Sequence, residues 1–510
     1  MKLWPIVAHS LCETARDDHA GIGLTMADEF VDVLIVGAGL SGIGAACHLK
    51  RRCPQRSVAI LESRQSLGGT WDLFRYPGVR SDSDMYTLGY SFRPWTGAKA
   101  IADGPSILQY LRDTAHEHGI DRQIRYGHRV RRATWSSAEV QWTVEVERDD
   151  GGGEPIRMRA GFLLMCSGYY DYDQGHTPEF AGREHFRGLI VHPQQWRDEI
   201  DYKGKRVVVI GSGATAVTLV PELAKEAAHV TMLQRSPTYM ITRPSVDGLA
   251  SRLARWAPRR VAHGLTRWKN LLLGLVVYRV CRGQPRRAKA GMIHLVKRQL
   301  APGYDVATHF TPRYNPWEQR LCLVPDGDLF EAIRAQRVSV VTDQIESFTE
   351  TGIRLASGAE LPADLVVSAT GLKLAVLNGI ELVVDGRRIE PAKLVNYKGV
   401  MFGGMPNFAS VFGYTNASWT LKADLASVFV CRVLEHMQRS GARQCVPRID
   451  AASAPLEPWV DFSSGYFQRA LAQLPKQGTK KPWKLNQNYL ADLMTLRFGS
   501  VDDGVIRFSA

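Results

Sequence analysis

The sequence has no C-x-x-C pair. Its eight cysteines, Cys12, Cys47, Cys53, Cys166, Cys281, Cys322, Cys431 and Cys445, are scattered over 510 residues. That spacing argues against a zinc ribbon, a thioredoxin-type redox pair and a disulfide scaffold, and it suits a reducing cytoplasm. Long hydrophobic runs are missing too. The longest uncharged, strongly apolar stretch outside the glycine motifs is Asn270–Tyr278, far short of the ~20 residues that cross a bilayer. The first residues carry one lysine, Lys2, and an apolar run broken by Pro5 and His9. No good cleavage site follows, so a secretory signal is not expected. Residues 1–27 read as an N-terminal extension, with Met26 as an alternative start.

Acid is missing from one segment. Between Gly248 and Tyr304 there are 13 Lys or Arg and no Asp or Glu, which accounts for the whole net charge of +13. The apolar residues there (Leu249, Leu253, Trp256, Leu265, Trp268, Leu272) recur at helical spacing, so the segment reads as basic amphipathic helices. Three explanations stand: a solvated helical face, attraction to an anionic membrane surface, or a field that draws in a polyanionic cofactor. No zinc-finger, RNA-recognition or helix-turn-helix signature accompanies the charge, so nucleic acid is not an expected partner.

The chain otherwise has a globular composition, 45% apolar and 23% charged, and is long enough for more than one domain. Val31–Val36 is an apolar, β-branched run of the kind that forms a buried parallel strand. It leads into Gly37-Ala38-Gly39-Leu40-Ser41-Gly42 and the helical pattern Ile43–Arg52. A second strand, Ser57–Leu61, ends at Glu62, twenty residues after Gly42. This is the full context of a dinucleotide fingerprint: glycines for the turn, for approach of the pyrophosphate and for helix packing, then an acid for the ribose hydroxyls.

The pattern repeats. Arg206–Ile210 leads into Gly211-Ser212-Gly213-Ala214-Thr215-Ala216 and a helix from Val217, and the strand His229–Leu233 ends in Gln234-Arg235-Ser236. Here a basic residue takes the place of the acid. Arg235 can pair with a ribose 2′-phosphate that an acid would repel, and Ser236 can add a hydroxyl. The second unit therefore reads as NADPH-binding, the alternative being a surface arginine in an ordinary strand-turn. Two such units in one chain imply a flavin beside a nicotinamide. Phe162–Gly168 and Asp364–Gly371 read as the two crossings between the units.

The stretch Gly68-Gly69-Thr70-Trp71-Asp72-Leu73-Phe74-Arg75-Tyr76-Pro77-Gly78-Val79-Arg80-Ser81-Asp82 matches every fixed position of a motif of the Baeyer–Villiger monooxygenases, and the chain resembles that FAD- and NADPH-dependent family over roughly residues 28–508. A second family fingerprint appears as Phe186-Arg187-Gly188-Leu189-Ile190-Val191-His192-Pro193-Gln194-Gln195-Trp196. It departs at its last position, Arg197, where the family has Pro or Asp. That departure leaves open the related flavin-containing monooxygenases, which oxidise N and S atoms without ketone activity. The resemblance continues through Tyr314–Cys322, Gly413–Lys422 and Leu474–Gly478.

The resemblance implies that NADPH reduces FAD, that O2 adds at flavin C4a, and that the resulting peroxyflavin inserts an oxygen atom next to a ketone carbonyl, giving an ester, or oxidises a sulfide or thioamide. It implies catalytic roles for Arg320, as the fixed cation, and for Asp82, which holds it. A structural salt bridge is the competing reading. Cofactor contacts are expected from Gly37, Gly39, Leu40, Ser41, Gly42, Glu62, Gly69, Thr70, Trp71, Tyr76, Asp82 and Asn416 in one unit. In the other they are expected from Gly211, Gly213, Ala214, Thr215, Ala216, Arg235 and Ser236. Trp71 and Tyr76 are placed beside the flavin ring or in an aromatic core. Several family members carry a lysine just before the active-site arginine. This chain has Gln319, which leaves more of the 2′-phosphate recognition to Arg235. His192 is expected in a hinge, without a general-base role. A disulfide reductase would need a redox cysteine pair after the first unit, and none is there. A silent flavoprotein would not need Arg320 and Asp82 intact.

The expected fold class is α/β, with two Rossmann-like dinucleotide-binding domains, the NADPH domain inserted in the FAD domain, and a helical insertion at about 240–310. The expected boundaries are 28–175 and 372–510 for the FAD unit and 176–371 for the NADPH unit. A cytoplasmic location with peripheral membrane contact through 248–304 is consistent with the charge pattern.

Overall fold

The computed structural model describes residues 29–149, 155–449, 455–460 and 462–510. The expected extension at 1–27, with Cys12 in it, lies outside the described residues. The strand Glu29–Val36 is flanked in parallel register by Val58–Leu61 and Ile156–Met165, with Val33 opposite Val58 and Phe162. Val33, Leu34 and Ile35 are fully buried, as a central strand covered on both faces requires. Beyond Ile156–Met165 the sheet turns antiparallel through Gln141–Arg148 and His128–Ser136. There Trp135 faces Trp142 across the ladder, ring centroids 5.6 Å apart. Late segments then join the same nine-stranded sheet: Glu381–Val384 beside His128–Ser136, and Phe408–Ser410 beside Ile156–Met165.

The second sheet is parallel and five-stranded, ordered Val338–Thr342, His229–Gln234, Arg206–Ile210, Leu365–Ser368, Leu189–Val191. All of its strands lie in sequence between Ile156–Met165 and Glu381–Val384 of the larger sheet. The architecture is thus α/β with two Rossmann-like sheets. The helix Trp419–Ser440 packs on the helix Leu40–Arg52, and Arg52 holds Glu435 at 2.9 Å. Inside this layer Lys422 Nζ sits 2.8 Å from Asp492, which also accepts from the Tyr414 hydroxyl at 2.6 Å.

The helical insertion comprises Gly248–Trp256, Arg259–Gly283 and Pro285–Lys297. Asp247 caps the first helix by accepting from Leu249 and Ala250 N–H, and Pro285 opens the third, where a missing N–H costs nothing. Met240–Arg243 pairs in parallel with Cys322–Pro325 and closes the base of the insertion. The long helix buries polar as well as apolar side chains and leaves a second apolar stripe outside. Its inner face mixes apolar and polar contacts: Leu271 packs on Tyr414 and Leu421, Arg267 donates to the carbonyls of Tyr86 and Gly89, both at 2.8 Å, and Asn270 donates to Asp84 at 2.9 Å. The outer face carries Leu265, Trp268 and Leu272, each more than two-fifths exposed. Among the described residues no helix is long and apolar enough to cross a membrane.

Candidate active site

The two glycine turns open into one cavity of about 610 Å³ between the sheets. In each, the first glycine has a backbone that L side chains rarely adopt, with φ +104° at Gly37 and +134° at Gly211. A Cβ there would run into the carbonyl of Cys166 or of Ala369, on the strand next door. At Gly42 a Cβ would overlap the Gly37 carbonyl oxygen, so helix and strand meet this closely only because no side chain intervenes. The helices that follow, Leu40–Arg52 and Ala214–Leu223, start on Gly39 and Gly213 without a side-chain cap. Elsewhere Asp84, Asp103, Asp247 and Asp305 cap helices. The first N–H groups of the two turn helices are therefore left for an anion.

Glu62 ends the second strand at the cavity wall. Its Oε2 accepts from Ala38 N–H at 2.8 Å and its Oε1 from Arg64 N–H at 3.0 Å. Burial raises its pKa, and these N–H donors pull the other way. Arg235 and Ser236 are exposed at the cavity rim, and Arg235 has no acidic partner among the described residues. Ser212 Oγ ties this loop to the glycine turn by donating to Ser236 O at 3.0 Å.

Arg320 and Asp82 meet in the wall of the same cavity, with Arg320 Nε 2.8 Å from Asp82 Oδ2. About a third of each side chain stays accessible, 36% and 31%. The carboxylate raises the pKa of the guanidinium further and burial opposes it, so the charge is permanent. Tyr169, Tyr170 and Tyr466 surround the arginine. The hydroxyls of Tyr169 and Tyr170 lie 3.0 Å apart. Tyr169 stacks on Trp419 with centroids 5.1 Å apart, and Trp419 Nε1 donates to Ser41 Oγ at 2.8 Å. This chain of contacts runs from the first glycine turn to the arginine.

Most of the expected contact residues line the cavity: Gly37, Gly39, Leu40, Ser41, Glu62, Gly69, Thr70, Trp71, Tyr76 and Asp82, with Gly211, Gly213, Ala214, Thr215, Arg235, Ser236 and Arg320. Gly42 and Ala216 sit behind the turns, and Asn416 is held away from the wall by its bond to Gln487 O at 3.0 Å. Tyr76 packs in the core of the second sheet, and its hydroxyl, its pKa pushed up to about 12 by burial, faces Thr215. It joins the two units. His192 lies outside the cavity lining. Its Nδ1 accepts from Gln194 N–H at 3.1 Å, so Nε2 carries the proton and donates to Gly371 O at 3.0 Å. Burial lowers its pKa. The ring sits against Gly175, where a Cβ would strike it, so it wedges between the strand Tyr170–Gly175 and Gly371 at the second crossing. Arg197 is exposed, outside the cavity lining.

A family profile described as flavin-binding monooxygenase-like matches residues 101–267, and one described as an NAD(P)-binding Rossmann-like domain matches residues 35–101. The FAD-containing monooxygenase EthA of Mycobacterium tuberculosis is 55% identical over 482 residues, which cover 94% of this chain and 98% of that protein. The chain belongs to the FAD-containing monooxygenases. A probable FAD-binding monooxygenase of Acinetobacter baylyi, AlmA, is 46% identical over 94% of the chain and 96% of its own length. Among solved structures, an oxidised steroid monooxygenase bound to NADP superposes with a TM-score of 0.75 at 23% identity, over 94% of this chain and 99% of the other. The open form of cyclohexanone monooxygenase gives 0.74 at 20%, over 94% and 100%. These two likenesses are of fold.

The residues of this FAD-containing monooxygenase fit the flavin dinucleotide. Gly39 and Gly69 face each other across the first turn, and a Cβ on Gly69 would come within 3.1 Å of Gly39 Cα. The cradle there is pure backbone, beside an uncapped helix N-terminus and a buried carboxylate. Sequence reasoning missed Tyr169, Tyr170 and Tyr466 as site residues. The first two follow directly on the expected crossing Phe162–Gly168, and that position was the available signal. Tyr466 had none, because it reaches Arg320 only through the fold.

Proposed function

We propose that this enzyme is an NADPH-dependent Baeyer–Villiger monooxygenase that converts ketones to esters and also oxidises sulfides and thioamides. The observation that carries the reading is the Arg320–Asp82 pair, set in the wall of a cavity that both glycine turns open into. FAD, when bound, supplies the activation of O2 and the delivery of one oxygen atom. The protein's own part is electrostatic. Arg320 presents a fixed cation to the negative charge that develops on the substrate's carbonyl oxygen, in a cavity wall shared with Tyr169, Tyr170 and Tyr466. Asp82 keeps the guanidinium aimed. Arg235 and Ser236 take the ribose 2′-phosphate of NADPH, and Glu62 takes the ribose of the flavin's adenosine. Residues 28–175 and 372–510 form the FAD unit and 176–371 the NADPH unit. The return of Glu381–Val384 and Phe408–Ser410 to the first sheet supports this division. His192, bonded at the crossing near Gly371, serves as the hinge between the units.

NADPH consumption by the FAD-loaded protein, measured over a panel of ketones and sulfides with product masses, tests the proposal. Esters from ketones support it. Sulfoxides without any ester would replace it with heteroatom oxidation.

A further inference from the structure

We propose that the outward face of the helix Arg259–Gly283 docks the enzyme on an anionic lipid surface. A helix of 25 residues normally buries its apolar stripe. Here the buried side is held by Leu271, packed on Tyr414 and Leu421, and by Arg267 and Asn270 through hydrogen bonds to the flavin unit, and a second apolar stripe is left outside. The apolar stripe Leu265, Trp268, Leu272, Val276 and Val280 keeps the spacing of one helix face and is 43–56% exposed throughout. Trp256, at the end of the preceding helix, is 90% exposed. Trp268 meets Tyr489, ring centroids 6.1 Å apart, and the helical stretch that follows Tyr489 exposes Met494 and Phe498 at 62% and 63%. The stripe on the long helix is itself larger than the scattered single residues a surface ordinarily shows, and the Trp268–Tyr489 contact links it to the second segment.

Charge selects the occupant. Arg259, Arg260 and Arg279 are exposed on the same helix and have no acidic partner among the described residues, and residues 248–304 contain no Asp or Glu at all. A second copy docking by this face around a two-fold axis would set the whole positive patch against itself. An anionic bilayer meets both properties at once: apolar side chains and Trp enter the headgroup boundary, and arginines sit among the phosphates. The charged residues keep the helix lying along the surface, in line with the absence of a spanning helix among the described residues.

The test is vesicle flotation of the full-length, FAD-loaded protein. One set of vesicles is phosphatidylcholine alone, and the other is phosphatidylcholine with an equal part of phosphatidylglycerol. The protein should float with the second set at low salt, stay behind with the first, and be released by high salt. Combined Arg259→Gln, Arg260→Gln and Arg279→Gln should weaken binding about 100-fold. Combined Leu265→Ser, Trp268→Ser and Leu272→Ser should abolish it. Both variants should keep wild-type NADPH oxidation in solution, which shows that they fold. Absence of flotation, or equal flotation with neutral vesicles, overturns the proposal. So does a dimer in light scattering that the triple serine variant dissolves, since a second copy would then cover the face.

Discussion

Arg320 Nε lies 2.8 Å from Asp82 Oδ2, although one residue belongs to the loop after the helical insertion and the other to the motif after the first glycine turn. The bond aims the guanidinium in the cavity wall, where Tyr466 also reaches it. Arg320→Ala should lower product formation by about 100- to 1000-fold, the usual loss when a preorganised donor is removed. FAD content, read from flavin absorbance, should be unchanged. Arg320→Lys should recover little, because an ammonium lacks the rigid fork. Product formation within threefold of wild type in the alanine variant would make the pair a structural salt bridge.

Arg235 stands at the rim without an acidic partner among the described residues, and Gln319, just before Arg320, lines the same cavity. Arg235→Ala should raise the KM for NADPH about 30-fold, the scale of a charge-assisted pair, and leave the KM for NADH nearly unchanged. Steady-state kinetics with both coenzymes decides it, and equal effects would remove the 2′-phosphate assignment.

His263 anchors the long helix beside Tyr86, near Arg267 and Asp84. Burial first, then the charge of Arg267, lowers its pKa from 6.5 to about 4. Above pH 6.5 the ring is neutral both folded and unfolded, so stability does not depend on it. Below that, the unfolded chain takes up a proton that the folded ring refuses, and stability falls until about pH 4. The full loss is on the order of 3 kcal/mol. His263→Gln should flatten the fall of Tm between those limits, and an unaltered slope would show that other groups carry it.

Asp492 lies beneath the C-terminal helical layer between Lys422 and Tyr414, with both members of the ion pair almost wholly buried. Asp492→Asn leaves an uncompensated buried ammonium and should cost about 3–5 kcal/mol, visible as a lower denaturation midpoint. The combined change Lys422→Met and Asp492→Leu should restore part of it.

Arg197 departs from the family fingerprint yet is exposed and outside the cavity lining. Arg197→Asp should change the ratio of ester to sulfoxide by less than twofold. A larger change, read from product masses with competing substrates, would require the interdomain segment to act on the cavity.

What the sequence determined by itself was local. A strand, a glycine turn, a helix and a second strand occupy about thirty consecutive residues, and their spacing dictates φ at Gly37 and Gly211, the close contact at Gly42 and the places of Glu62 and Arg235. The basic helices were also legible, since their periodicity lies in the chain. Only the tertiary structure decided which face of Arg259–Gly283 turns inward. A period marks a stripe but not its direction, and the direction is set by carbonyls of Tyr86 and Gly89 that are distant in sequence. The same holds for the tyrosines around Arg320, for the proton on His192 Nε2 fixed by Gln194 and Gly371, and for Tyr76, which bridges the units as well as lining the cavity. Each depends on contacts between segments far apart in the chain, and no local pattern encodes them.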